Sequence, residues 1–282
     1  MNENPVFIIG IFRSGTSLLC SLLNQNPQIA LMYECDVWNF PAPLLAWRFR
    51  HNWAARMEFY NQAISRHGLT APLKYRGLDK FRTPLDLYRA FAAKKSAAIC
   101  GEKSPFYCSR LEQLHREYPR AAFIFVWRDP VEVYRSVRKA GQTSRFFGRA
   151  GMLSRMIYEQ EQAIRQAEAI AGRGARLFRV DYAGIVDQTE KVCRELSTFL
   201  GVPFDPHMLA LNQADLSAIY KAPHHAHLRR GVIERQIYAR ELVRPAIVKK
   251  LERYRRRWER QLAQWLKPSP NPPRRNQAPW NS

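Results

Sequence analysis

The segment Gly10-Ile-Phe-Arg-Ser-Gly-Thr-Ser17 determines how this chain folds, because it joins a strand pattern to a helix pattern. Residues 6–9 form a short apolar run that is typical of a buried parallel strand, and residues 17–23 carry apolar side chains at helical spacing. A strand, a glycine turn and a helix in this order bring backbone N–H groups to a helix N-terminus, where the helix dipole favours an anion. The sequence therefore predicts an α/β domain with a phosphate-binding loop.

The loop differs from those of nucleoside-triphosphate enzymes at one position. In a Walker loop a lysine reaches the β- and γ-phosphates, and the Ser or Thr after it holds Mg²⁺. Thr16 occupies that lysine position, and Arg13 supplies a cation earlier in the loop. This exchange disfavours ATP chemistry. Two alternatives stay open at this point, a P-loop kinase or other phosphotransferase and a plain tight turn built on Gly10 and Gly15.

A second anion signal follows a later apolar run, residues 123–127. Arg128 stands where that predicted strand ends, Asp129 suits a helix N-cap and Pro130 suits the first helical position. Ser136 falls on the helix that follows, so Arg128 and Ser136 can both face the crevice where parallel sheets bind ligands. A guanidinium with a hydroxyl suits a phosphate. The alternative is a solvent-facing Arg128–Asp129 pair.

These two sites resemble motifs of the sulfotransferases that use 3′-phosphoadenosine 5′-phosphosulfate (PAPS) as donor. Residues 13–17 are similar to their 5′-phosphosulfate loop, and Arg128 with Ser136 is similar to their 3′-phosphate pair. Residues 101–107, Gly-Glu-Lys-Ser-Pro-Phe-Tyr, resemble the lysine segment of the membrane-type carbohydrate and protein-tyrosine branches. The resemblance implies a P-loop-NTPase-like α/β sandwich, in which helices flank a central, mostly parallel sheet of about five strands.

The resemblance continues to about residue 205 and implies the donor-binding residues. Residues 178–182 and 197–201 are similar to the late strand and helix of the family, and residues 229–231 are similar to its Arg/Lys-Gly loop. PAP is the implied product, and no metal ligand is expected. The implied donor-binding residues are Arg13, Ser14, Gly15, Thr16, Ser17, Arg128, Ser136, Tyr182, Arg229, Arg230 and Gly231.

Three residues are candidates for the chemistry. Sulfuryl transfer places negative charge on the leaving phosphate oxygen, so Arg13 and Lys103 are expected to stabilise the transition state. Glu34 follows a predicted strand over 29–33 and is the candidate general base for an acceptor hydroxyl or amine. Its spacing from Arg13 resembles the protein-tyrosine branch, but residues 35–38 lack the arginine of that branch, which argues against an acidic peptide acceptor. A surface carboxylate is the alternative for Glu34.

The acceptor is not specified by these motifs, and a carbohydrate, a lipid or a small molecule all fit. Cytosolic small-molecule sulfotransferases use a histidine base. None of the seven histidines here follows a predicted central strand, so each is expected to be exposed or to serve packing.

The composition is that of one enzyme domain with a strongly basic surface. The 282 residues are 46% hydrophobic, enough for a sizeable core, and no stretch reaches the length of a membrane span. Lys and Arg outnumber Asp and Glu by 45 to 24, a net charge of +21 that attracts anions generally. A non-catalytic anion- or nucleic-acid-binding protein is therefore a further alternative, although no nucleic-acid motif is present.

The predicted organisation is a single domain over residues 1–267, with a helical insertion on the acceptor side over about 40–95 and a flexible tail over 268–282. The first strand begins close to Met1, which predicts no signal peptide and a cytoplasmic location. Five cysteines without metal-ligand spacing indicate free thiols.

A basic amphipathic helix is predicted over about 240–267, with an apolar stripe that includes Leu251, Trp258 and Leu262. The stripe suits an anionic membrane surface, the domain itself or a second subunit. Peripheral membrane contact and a homo-oligomer therefore both stay open. A third strand is predicted over 97–101.

Overall fold

The computed structural model describes residues 4–36, 61–62, 64–69, 84–219 and 225–265. Five parallel strands form one sheet in the order β2-β3-β1-β4-β5. This sheet with helices on both faces confirms the predicted α/β class. The strands are β1 (Val6–Ile9), β2 (Ile29–Tyr33), β3 (Ile99–Lys103), β4 (Ala122–Trp127) and β5 (Arg176–Asp181).

Helices connect and cover these strands. The α-helices are α1 (Thr16–Leu23), α2 (Pro84–Lys94), α3 (Leu111–Glu117), α4 (Pro130–Ala140), α5 (Met152–Ala171), α6 (Tyr182–Asp187), α7 (Thr189–Leu200), α8 (Ala226–Arg229) and α9 (Pro245–Trp265). Short 3₁₀ turns lie at Pro105–Ser109, Pro206–Leu209, Leu211–Gln213 and Arg240–Leu242.

The core lies on both faces of the sheet because the strands alternate their side chains. Phe7 and Ile9 of β1 pack on one face with α2, α4 and α5, whereas Val6 and Ile8 pack on the other with α1 and α7. Gly101 permits the β1–β3 pairing, since a Cβ there would collide with the carbonyl of Val6.

The third strand differs from its prediction, since β3 spans Ile99–Lys103 rather than 97–101. The strand continues until Ser104, whose side chain accepts a hydrogen bond from Phe106 N and caps the turn that Pro105 begins. Lys103 is consequently the last residue of the strand. Asp129 caps α4 as predicted, accepting from Val131 N at 2.7 Å.

The basic helix α9 docks on the domain, one of the arrangements that the sequence left open. It packs against α4 and α5, and Leu251, Trp258 and Leu262 of its stripe are buried. The rings of Trp258 and Trp127 lie 6.3 Å apart at 86°. Within the described ranges, no helix is long and apolar enough to cross a bilayer. The tail and most of the predicted insertion lie outside the described residues.

Candidate active site

Parallel strands bring the predicted site residues to one edge of the sheet. The loop follows β1, Glu34 follows β2 and Lys103 ends β3. Arg128 and Tyr182 follow β4 and β5 on the other side of β1. The sheet order therefore places the carboxylate and the lysine on one side of the loop and Arg128 on the other.

The loop after β1 is tightly folded. Gly15 is the N-cap of α1 with φ 104°, and a Cβ there would collide with the Tyr182 ring. Arg13 also has a left-handed φ of 66°. Ser14 Oγ is buried and finds no hydrogen-bond partner among the described residues. A buried hydroxyl beside the first turn of a helix suits an anionic oxygen.

Arg128 is buried and held between several groups. Its guanidinium lies 3.9 Å from the centroid of the Tyr182 ring, and Nη1 donates to the carbonyl of Arg13 at 3.2 Å. Nε donates to Glu132 at 3.2 Å. Nη2 is buried without a partner among the residues that the structure describes. Because Arg128 also lines the cavity described below, its guanidinium fits a phosphorylated ligand.

Arg13 and Ser136 meet, although they are far apart in the sequence. Arg13 Nε donates to Ser136 Oγ at 2.9 Å, and Ser136 donates to the Tyr238 hydroxyl at 3.0 Å. Burial lowers the pKa of Arg13, and contact with Tyr238 partly offsets this effect. The chain Arg13–Ser136–Tyr238 links the loop to α4, so these two predicted donor-binding residues belong to one cluster.

Glu34 and Lys103 form an ion pair at the ends of β2 and β3. Lys103 is 1% exposed and its ammonium lies 4.2 Å from the centroid of the Tyr33 ring. Burial alone would lower the pKa of Lys103, but the charge and hydrogen bond of Glu34, together with Tyr33, outweigh burial and raise that pKa. Glu34 is more exposed and has a left-handed φ of 46°. The buried ammonium thus holds a carboxylate that faces the cavity.

A buried carboxyl beneath this pair supports the strained turn. Glu102 is fully buried and accepts from Asp36 N at 2.5 Å, Tyr88 at 2.5 Å and Tyr107 at 2.8 Å. Asp36 itself has φ 53° and accepts from the Ser104 hydroxyl. Burial and then the charge of Asp36 raise the pKa of Glu102 to about 8, and burial raises the pKa of Asp36 to about 6. These contacts fix the turn that carries Glu34.

Sequence reasoning missed Glu102, and it ranked a histidine among residues 224–227 behind Glu34 as a candidate base. Strand alternation offered a signal for Glu102, since it must face away from Lys103. His225 was expected to serve packing or to be exposed, but it lines the cavity, and its Nε2 is hydrogen-bonded to the Tyr33 hydroxyl at 3.3 Å. Tyr33 is in turn hydrogen-bonded to Ser17 at 2.9 Å. No local pattern signals His225, because it reaches the site only through the tertiary fold.

One cavity of about 510 Å³ gathers these groups. Its described lining is Phe12, Arg13, Gly15, Thr16, Ser17, Leu18, Glu34, Asp36, Lys103, Pro105, Phe106, Arg128, Ser144, Phe146, Phe147, Glu159, Tyr182, His225, Gln236 and Tyr238. Ser14 and Ser136 lie behind this lining, in contact with it.

The predicted Arg/Lys-Gly loop at residues 229–231 is placed differently. Arg230 is exposed and pairs with Glu234 at 2.7 Å, and Gly231 packs against Asn212. None of residues 229–231 lines the cavity, whereas Gln236 and Tyr238 of the following segment do. The donor-binding role of these three residues stays a prediction.

Comparisons with known proteins agree with this architecture. A family model described as Sulfotransferase family matches residues 5–206. The nodulation protein NoeE of Sinorhizobium fredii is 28% identical over 143 residues, which cover 47% of this chain but only 30% of that protein.

Two solved structures share the fold. The sulfotransferase domain from the curacin biosynthetic pathway aligns with a TM-score of 0.59 at 14% identity, over 93% of this chain and 98% of that one. The sulfotransferase domain of the Synechococcus PCC 7002 olefin synthase aligns with a TM-score of 0.51 at 20% identity, over 90% and 96%. Because the family model covers well over half of its length, this chain belongs to the sulfotransferase family.

Proposed function

We propose that this protein transfers a sulfuryl group from PAPS to a hydroxyl or amine of a carbohydrate, lipid or small-molecule acceptor and releases PAP. The observation that carries the proposal is that Glu34, Lys103 and Arg128 line one and the same cavity beside the loop after β1. A carboxylate, an ammonium and a guanidinium at neighbouring strand ends supply a base, a charge stabiliser and an anion receptor.

The donor has two anionic ends, and two groups of residues suit them. The amides of the loop with Ser14 and Thr16 suit the 5′-phosphosulfate, and Arg128 with Ser136 suits the 3′-phosphate. Strands β1 and β4 pair directly, so the two groups lie on adjacent strand ends. The unpartnered Nη2 of Arg128, a residue that lines the cavity, supports this assignment, because leaving such a group buried and unsatisfied costs about 1–3 kcal/mol.

The chemical roles follow from the positions of Glu34 and Lys103. Glu34 would accept the proton that the acceptor loses as it attacks sulfur. Lys103 would stabilise the negative charge that develops on the leaving phosphate oxygen. The ion pair between them holds the carboxylate in place beside the cavity. Arg13, held by Ser136, would add positive charge to the donor site.

A turnover assay tests the proposal. The purified protein is incubated with ³⁵S-labelled PAPS and pools of acceptors, and both PAP and the sulfated product are identified by mass spectrometry. We expect PAP to form in step with a product 80 Da heavier than its acceptor. Lys103→Met should slow the formation of this product about a hundredfold, whereas Lys191→Met, which changes an exposed lysine of α7, should not.

Two other results would overturn the proposal. Phosphoryl transfer from Mg²⁺–ATP without any PAPS turnover would indicate a P-loop kinase, and salt-dependent nucleic-acid binding without PAP binding would indicate a binding protein. A chelator is expected to leave sulfation unchanged, because Lys103 and Arg13 take the charge-stabilising role that Mg²⁺ has in P-loop kinases. Cytoplasmic location stays a prediction.

A further inference from the structure

Four phenylalanine side chains line the cavity that holds Glu34. Phe12 lies in the loop after β1, Phe106 follows β3, and Phe146 with Phe147 follows α4. The Phe12 ring lies 6.5 Å from Phe146 and 5.7 Å from Phe147, and the last two rings are 5.0 Å apart. Segments far apart in the sequence therefore each contribute phenyl rings to the cavity lining, and these four residues are called here the aromatic wall.

The aromatic wall is incompletely buried by the protein. Phe106 is 43% exposed, and Phe146 and Phe147 are partly exposed. The chain is 46% hydrophobic and has enough other apolar residues to form its core, so these rings are not needed there. Exposed apolar surface costs about 25 cal/mol for each Å² that a ligand would remove from water. A concave apolar surface beside convergent polar groups is the usual form of a small-molecule site.

Charge near the aromatic wall disfavours an anionic acceptor. The cations in the described lining are Arg13, Lys103 and Arg128, and each has a proposed role towards the donor. Glu159 also lines the cavity and is paired with Arg155 at 2.7 Å. Burial raises the pKa of Glu159. Arg155 and Arg149, which do not line the cavity, lie 5.0 Å and 5.9 Å from the centroid of the Phe146 ring. Within the cavity itself, a sulfated or phosphorylated glycan, which the net charge of +21 would attract to the surface, would meet carboxyls and phenyl rings.

The donor leaves the aromatic wall available. Arg128 is flanked by Tyr182 and by Tyr238, whose ring centroid lies 5.9 Å away, and these aromatic rings lie beside the proposed 3′-phosphate site. Phe106 lies three residues after Lys103, the last residue of β3. Strand β3 pairs with β2, and Glu34 follows β2. Tyr182 and Tyr238 are thus assigned to the nucleotide, which leaves the four phenylalanine rings of the lining for the acceptor.

We propose, resting on the sulfotransferase function proposed above, that the acceptor is an uncharged alcohol or phenol with an apolar skeleton. The skeleton packs on the aromatic wall and presents its hydroxyl to Glu34. The hydroxyl oxygen forms a bond to sulfur, and its proton passes to the Glu34 carboxylate. The bond between sulfur and the phosphate oxygen breaks, and that oxygen keeps the electron pair as PAP leaves.

The test compares acceptors and one matched pair of variants. Wild-type protein with PAPS is given a long-chain alcohol, a substituted phenol, a neutral monosaccharide and an anionic oligosaccharide. We expect kcat/KM to be highest for the alcohol or the phenol, and these two arms separate aliphatic from aromatic skeletons. Phe106→Ala is expected to raise KM for that acceptor about three- to tenfold, the loss typical of one aromatic contact. Tyr158→Ala, which removes a 60% exposed ring of α5 outside the cavity lining, is expected to leave KM unchanged.

Binding of PAP, measured by calorimetry, distinguishes the possible failures. Phe106→Ala is expected to leave PAP affinity unchanged. If it weakens PAP binding instead, the aromatic wall holds the nucleotide and the acceptor proposal is overturned. If the saccharides are sulfated in preference to the alcohol and the phenol, the acceptor proposal falls while the sulfotransferase function stands. If PAP does not bind the wild-type protein, both proposals fall.

Discussion

The two sides of the cavity are built in different ways. On the β4 side, Arg13, Ser136 and Tyr238 are joined by hydrogen bonds, and Arg128 lies on Tyr182. On the β2 side, Glu34 pairs with Lys103, the neighbouring Glu102 is a buried carboxyl, and Phe106 lines the cavity after β3.

This difference indicates a division of labour. The β4 side presents fixed hydrogen-bond donors, which suits a donor nucleotide whose charges are always the same. The β2 side combines one reactive pair with apolar surface, which suits an acceptor selected by shape and by a single hydroxyl. Substitutions on the two sides should therefore separate turnover from nucleotide affinity.

The largest effect is expected from Glu34→Gln. Loss of a positioned general base should lower kcat about a thousandfold, while PAP affinity on the β4 side stays unchanged. Steady-state kinetics and calorimetry measure the two quantities. Glu195→Gln, an exposed glutamate of α7, is the matched control. Near-normal turnover of the Glu34 variant would assign the base role elsewhere, with His225 the next candidate in the cavity.

Lys103→Met is expected to lower kcat about a hundredfold, the loss typical of one group that stabilises developing negative charge. Methionine keeps the apolar stem of the buried side chain but removes the ammonium. Thermal unfolding should be recorded in parallel, because Glu34 loses its ion-pair partner. A folded variant with unchanged kcat would contradict the role of Lys103 on the β2 side.

Arg128→Ala should lower the affinity for PAP, whereas the two previous variants should lower kcat. Removal of its charge-assisted hydrogen bonds should weaken PAP binding about 10- to 100-fold, in line with about 1.5–3 kcal/mol for bonds to charged groups. Arg194→Ala, an exposed arginine of α7, should have no effect on binding. Calorimetry that finds equal PAP affinity in the two variants would remove Arg128 from the site.

The smallest effect is expected from Glu102→Gln, which tests how the β2 side is supported. The pKa of Glu102 is about 8 in the folded protein, against an ordinary value of 4.5. The folded state therefore keeps a proton that the unfolded state releases, so the free energy of unfolding should fall as the pH rises from about 5 to about 8. Above about pH 8 this contribution no longer changes.

The variant should make Tm less dependent on pH over that window, because a glutamine side chain cannot titrate. Calorimetric scans at several pH values measure this slope, with Glu195→Gln again as control. If the Glu102→Gln protein shows the same dependence of Tm on pH as the wild type, then Glu102 does not take up a proton in this pH range. The raised pKa of Glu102 would then not contribute to the pH dependence of stability.

The sequence predicted the parts of the molecule that local patterns encode. Sequence patterns marked β1, β2 and β4, and the glycine loop indicated an anion site because its neighbours must be a strand and a helix. The end of β3 was placed too early, since the Ser104 cap extends the strand to Lys103. Short motifs at strand ends were sufficient to place Glu34 and Arg128 at one sheet edge.

The remainder depends on contacts between distant segments. The aromatic wall joins residues 12, 106 and 146–147, and no periodicity links these positions. Glu102 is surrounded by Tyr88, Tyr107 and Asp36, a set that only the folded chain assembles. Residues 229–231 were predicted from a short similarity in a basic chain; they do not line the cavity, and their donor-binding role stays a prediction.

A crystal structure of the protein with PAP tests the central claim most directly. We predict that the 3′-phosphate accepts hydrogen bonds from Nη2 of Arg128 and from Ser136, and that the 5′-phosphate lies against the amides of residues 14–17. PAP bound elsewhere, or bound with Arg128 turned away from both phosphates, would contradict the account.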